Sequence, residues 1–95
     1  MTGTTRSSGG LDDRRKRLLF RCWHRGTREM DLIMGRFADT HIGALSDAEL
    51  DACERLTDVP EPDLYAWITG ERPVEPAHDT ALFHRLRHFA RTHRT

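Results

Sequence analysis

The residues best spaced for chemistry in this chain are two histidines, His84 and His88. At i, i+4 on one helical stretch, two imidazoles share a face and can chelate a metal ion, as they do in H-E-x-x-H sites. No Glu follows His84, and no third ligand stands at a recognisable spacing, so the pair is expected as two surface histidines. His24, His41, His78 and His93 have no partner nearby in sequence. The nucleophile elbow G-x-S-x-G and the phosphate loop G-x-x-x-x-G-K-[ST] are both missing, which leaves no recognisable acyl- or phosphoryl-transfer machinery. The carboxylates are numerous, but no working acid–base pair can be picked from a solvated acidic face. The chain is expected not to be an enzyme.

Two charged clusters offer binding instead. Arg14-Arg15-Lys16-Arg17 could touch phosphates. The helix that follows brings no polar reading face, however, and the acidic middle of the chain would repel a duplex, so nucleic acid is not an expected partner. A helical nucleic-acid-binding domain stays as an alternative reading. The second cluster, Arg25-Gly26-Thr27-Arg28-Glu29, places three charged side chains within five residues. Gly26 suits a left-handed helix exit, and Arg25 suits the negative end of a helix dipole. Thr27 suits an N-cap, with Glu29 in the positively polarised first turn beyond it. The segment is expected to be a sharp, exposed helix-to-helix corner that projects a cation and an anion in a fixed relation.

The elements around that corner are helical. In Leu11 to Arg25, the pairs Leu18/Cys22 and Leu19/Trp23 have one-face spacing. Met30, Ile33, Met34, Phe37, Ala38 and Ile42 then form a stripe of period 3.6 that Gly43 ends. Ser46 and Glu49 make a capping box between the staple positions Leu45 and Leu50, and Leu50, Cys53 and Leu56 follow as a buried face. Pro62 opens a short helix that carries Leu64, Tyr65, Trp67 and Ile68 to Gly70. Trp67 is expected in the core and Tyr65 partly exposed. A fifth helix, from about Asp79 to Thr92, turns Leu82, Phe83, Leu86, Phe89 and Ala90 inward. No segment alternates with period two, so the fold class is all-α: one small domain, a five-helix bundle with three longer helices and two shorter. Residues 1–10 (MTGTTRSSGG) have nothing to bury and are expected to be a disordered tail, with the helical domain at 11–95.

Size and charge bound the rest. Ninety-five residues leave no room for a multi-step enzyme with its own cofactor domain. No apolar run approaches the ~20 residues of a spanning helix, so stable membrane insertion is not expected. The N-terminus lacks an apolar h-region, and Cys22 and Cys53 stand in no metal-ligand spacing, which points to a reducing, cytoplasmic setting. A single disulfide between the two is left open. The zero net charge hides an asymmetry. Met1 to Arg28 carries eight basic residues against two acidic ones, and Glu29 to Asp79 carries thirteen acidic against three basic. Charge complementarity within one fold is the simpler meaning of that layout.

RGTREMDLIM resembles the R-G-x-x-E-[apolar]-D signature of the SdhE family, small bacterial FAD assembly factors for succinate dehydrogenase. LSDAEL resembles the family's third-helix start, and PDLYAWITGERP resembles its D-L-[YF]-x-W segment, with Asp63, Leu64, Tyr65, Trp67, Gly70 and Pro73 in order. The resemblance covers about Leu18 to Pro73. It implies a chaperone that binds the flavoprotein subunit of succinate dehydrogenase, and that of fumarate reductase as a further client, to promote covalent attachment of FAD to a client histidine. It assigns partner binding to Arg25, Gly26 and Glu29, with Thr27, Arg28 and Asp31 as neighbours. No cofactor would be held stably, since the FAD is carried by the client. A helical interaction module with a non-flavoenzyme client is the other alternative.

Overall fold

Five α-helices follow one another in the computed structural model, which describes residues 10–92. They are α1 (Asp13–Trp23), α2 (Arg28–His41), α3 (Asp47–Thr57), α4 (Glu61–Thr69) and α5 (Ala81–Thr92). No strand occurs among the described residues, so the all-α reading holds. Of the expected tail, 1–10, only Gly10 is described, in a turn at φ +88°. The rest of that tail, and residues 93–95 of the expected domain, lie outside the described residues. The division into three longer and two shorter helices does not hold: α4 has 9 residues and the others 11 to 14.

Side-chain caps set the starts of α1, α2, α3 and α5, while Pro60 precedes α4 without one. Asp12, Thr27 and Ser46 each accept a hydrogen bond from the backbone N–H three residues on, and Glu49 closes the expected capping box by accepting from the Ser46 N–H. Thr80 Oγ1 accepts from the Phe83 N–H at 3.1 Å, so α5 begins at Ala81, two residues later than the pattern implied. The intervening Pro76–His78 forms a 3₁₀ turn. α2 likewise ends at His41, and Ile42–Ala44 tightens into 3₁₀ geometry before Leu45. Gly70 stops α4 in the left-handed region at φ +85°, where a Cβ would be strained.

The core gathers one face from every helix: Leu18, Cys22 and Trp23 from α1, Met30, Met34 and Phe37 from α2, Leu50, Cys53 and Leu56 from α3, Leu64 and Trp67 from α4, and Leu82, Phe83 and Leu86 from α5. Cys22 and Cys53 are both buried and free, so the disulfide left open is not formed. A hydrogen bond with Cys53, and then burial, push the Cys22 thiol well above its ordinary range, so it behaves as a small apolar side chain. The helix pair with the most contact is α1 on α2, and its seat is Gly35. A Cβ there would lie 2.2 Å from Cδ2 of the Trp23 ring. Glycine inside a helix costs about 1 kcal/mol relative to alanine. Here it lets the indole lie against the α2 backbone, with Nε1 donating to Asp39 Oδ1 at 3.2 Å.

Charge complementarity organises the other side of the bundle. Arg14 of α1 bonds both Asp51 and Glu54 of α3, and Arg21 pairs with Asp58 at 2.5 Å. Arg85 of α5 meets Glu49 of α3 at 2.6 Å. The acidic middle of the sequence is thus flanked by the two basic segments. No helix among the described residues is long and apolar enough to cross a membrane.

Candidate functional site at the α1–α2 corner

The corner is built from the end of α1 outward. α1 stops at Trp23, two residues before the exit expected at Arg25, with His24 as its C-cap. The chain then turns through Gly26 at φ +120°, which an L side chain rarely adopts. No atom lies within 4 Å of a Cβ placed on Gly26, so the backbone conformation alone calls for glycine, and the space beside it is open. Asp31 ties the turn down. Its Oδ1 accepts from the backbone N–H groups of Arg25 (2.5 Å) and Gly26 (3.2 Å), while the carboxylate sits in the positively polarised first turn of α2.

Arg25 does not cap its own helix. Its guanidinium reaches across the molecule, donating to the Thr57 carbonyl and, at 2.6 Å, to the Val59 carbonyl. Those oxygens belong to the C-terminal end of α3 and the turn after it, the negative pole of that helix. Hydrogen bonds from a charged donor contribute about 1.5–3 kcal/mol, set against the burial of Arg25 Nε without a partner. Arg25 is therefore a clasp between two corners.

Two further bonds brace the corner on α4. Thr27 Oγ1 accepts from the Met30 N–H and donates to Glu61 Oε2 at 3.1 Å. The Tyr65 hydroxyl donates to Glu29 Oε2 at 2.9 Å. Tyr65 is half-buried and Trp67 buried, as expected of each. The six residues singled out from sequence come together, but they divide by orientation. Arg25 and Asp31 are half-buried and hold the turn, while Gly26, Thr27, Arg28 and Glu29 face solvent.

Sequence reasoning missed Phe20. It is the exposed large hydrophobic residue of the described chain, 61% accessible, one helical turn before His24, with the two rings stacked at 3.9 Å. The signal was available: the faces set by 18/22 and 19/23 leave position 20 on the outside of α1. A second unread feature is a groove of about 460 Å³ that begins at Glu29 and Tyr65 and runs between α2, α4 and α5.

The other candidates resolve differently. His84 bonds Asp79 at 2.5 Å and lies beside Arg87, and no group of three or more metal-ligating side chains occurs among the described residues. Of the basic run, Arg14 is bound to α3, and Arg15 donates to Asp12 and to the carbonyls of Ile42 and Leu45. Lys16 and Arg17 remain exposed. The corner itself offers donors, acceptors and an aromatic ring on a braced surface.

A family model described as flavinator of succinate dehydrogenase matches residues 16–90. The chain is 38% identical over 78 residues to the mitochondrial succinate dehydrogenase assembly factor 2 of Meyerozyma guilliermondii, covering 82% of this chain and 54% of that protein. It is 32% identical over 89 residues to the FAD assembly factor SdhE of Acetobacter pasteurianus, covering 90% of this chain and 82% of the relative. With SdhE of Legionella pneumophila the identity is 38% over 66 residues, 68% of this chain and 82% of the relative. The chain thus spans about half the length of its yeast relative and most of the two bacterial ones. The family is one of assembly factors rather than enzymes. With the corner, the third-helix start and the α4 segment all inside the matched span, the chain belongs to the flavinator of succinate dehydrogenase family, to which SdhE and the mitochondrial assembly factor 2 proteins are its relatives.

Proposed function

We propose that this chain is a flavinylation assembly factor. It docks on the flavoprotein subunit of succinate dehydrogenase through the α1–α2 corner and promotes covalent attachment of the FAD which that subunit carries. The flavoprotein of fumarate reductase is a second client of the same kind. The protein works in the cytoplasm beside its client and takes no part in nucleic-acid binding. It retains no FAD of its own.

The observation that carries this reading is the bracing of the corner. Arg28 and Glu29 are presented from a turn held at three points: by Asp31, by the Arg25 clasp and by the α4 contacts of Thr27 and Glu29. A surface ordered before binding loses little conformational entropy when it docks, so a small interface can still be specific. Phe20, beside the corner, supplies an aromatic anchor of the type that dominates interface energetics. Covalent flavinylation needs a client histidine held against the flavin 8α-methyl, at a near-attack separation of about 3–3.5 Å. A clamp that narrows the client's motion supplies that geometry, while the reacting groups stay with the client.

Glu29→Ala tests the assignment. The substitution removes an exposed carboxylate and one surface hydrogen bond, so the melting temperature should stay within a few degrees of wild type. Client affinity should fall by about tenfold, the equivalent of ~1.4 kcal/mol. Covalent FAD, read as in-gel flavin fluorescence of the client, should drop with it. Normal flavinylation by the variant at cellular protein levels would remove Glu29 from the interface.

A further inference from the structure

We propose that the groove between α2, α4 and α5 is a second contact surface, one that receives an apolar segment of the client bearing a carboxylate. This rests on the client-binding reading of the corner, with which the groove is continuous through Glu29 and Tyr65.

Two independent observations select the groove and its occupant. First, six partly buried hydrophobic residues pack against the core, and four of them, Leu32, Ile33, Tyr65 and Ala90, line this one groove. Apolar surface left half-covered and concentrated in one concave place is what a partner's side chain completes. Second, Arg36 of α2 and Arg91 of α5 line the same groove, and neither guanidinium forms a hydrogen bond or an ion pair among the described residues; the Arg36 backbone carbonyl accepts one, from Thr40 Oγ1. Arg14, Arg21 and Arg85, on the helices that flank α3, are each paired with a carboxylate. The groove's own carboxylate, Glu29, is engaged by the Tyr65 hydroxyl. Two guanidinium groups of different helices, beside one apolar floor and ion-paired with no carboxylate among the described residues, select a carboxylate presented next to an apolar side chain. A guanidinium fork matches a carboxylate in geometry as well as charge. A second copy of this chain fits less well, because its corresponding face would bring the same two cations against these.

The test measures binding to the purified flavoprotein subunit of succinate dehydrogenase from the same genome, at low and high salt. Wild type, Arg36→Glu, Arg91→Glu, the double reversal and Glu29→Ala are compared, with thermal melts and sedimentation of each. Both arginines line the groove with guanidinium groups unpaired among the described residues, so the melts should be unchanged. Each reversal should weaken binding about tenfold at low salt, and the double reversal more, with the wild-type salt dependence flattened. If the reversals bind within twofold of wild type while Glu29→Ala is impaired, the groove proposal fails and the corner reading stands. If Glu29→Ala is also unimpaired, the corner reading fails as well. Wild-type self-association that the reversals abolish, with client binding intact, would assign the groove to a second copy and overturn the proposal.

Discussion

The two sides of the bundle treat the same residue type in opposite ways. Where α1 and α5 flank α3, arginines are spent on internal carboxylates: Arg14 on Asp51 and Glu54, Arg21 on Asp58, Arg85 on Glu49. Along α2, Arg28 is exposed and Arg36 half-buried, and neither guanidinium is paired among the described residues, next to a braced corner and an incompletely covered groove. Surface ion pairs contribute little stability each, typically 0–1 kcal/mol. Their arrangement matters more for which charges it leaves over. The neutral total of the chain is therefore two things at once, a self-neutralised face and a face whose charges are available to a partner.

The sharpest way to break the comparison is to attack the packing that both faces share. Gly35→Ala should give the largest effect, because its Cβ would meet a rigid indole rather than a flexible chain end. Overpacking of this kind typically costs 1–3 kcal/mol, and about 3 is expected here. A denaturant titration should show the loss, and client binding should recover at temperatures where the variant is folded. Arg25→Ala comes next, at about 2 kcal/mol, the worth of charge-assisted bonds to two carbonyls. Unlike Gly35→Ala it should also loosen the corner, so hydrogen exchange at the Gly26 amide should quicken even in the folded variant. If binding falls with no change in stability or exchange, Arg25 acts by direct contact instead.

Phe20→Ala sharpens the contrast from the other side. Removing a 61%-exposed ring should leave the melt unchanged or slightly raised, while client affinity falls by about fivefold, ~1 kcal/mol. Isothermal titration with the purified client resolves a change of that size. The smallest effect is on the self-neutralised face and depends on pH. The Arg14 guanidinium holds Glu54 below its ordinary 4.5, and the Ser46 backbone N–H, and then Arg85, do the same for Glu49. A carboxyl whose folded pKa is depressed lends stability above its unfolded pKa and loses it as pH falls through the folded value. Urea midpoints should therefore decline below about pH 4.5, and Glu54→Gln should make that decline shallower.

Much of this architecture was legible in the sequence, since it is written in local signals. The S-x-x-E box and Gly70 each act within a turn or two of chain and formed as expected, and the stripe from Met30 formed through Ala38, with Ile33 half-buried and Ile42 passing into the 3₁₀ turn. The six corner residues were legible as a group for the same reason. Their division of labour was not. Arg25 sits where a helix-end cation belongs, yet its partners are carbonyls 32 and 34 residues away, which no local pattern encodes. Gly35 was equally silent: a glycine inside an apolar stripe gives no sign of an indole from another helix until the two pack. Helix ends moved by two residues wherever a competing cap, Thr80 for Asp79 or the turn after Trp23, took the free backbone groups.

The Arg25 clasp also bears on how this chain can change in length. Connections between helices usually accept insertions, since they run over the surface and carry few obligations. The α3–α4 connection is an exception, because the carbonyls that receive Arg25 are those of Thr57, which ends α3, and Val59, within the connection, and the next helix begins at Glu61. One residue added between Thr57 and Pro60 would slide an acceptor out of reach and strand a guanidinium already carrying one unsatisfied nitrogen. Two loops far apart in sequence are thus matched in length as parts of a single joint.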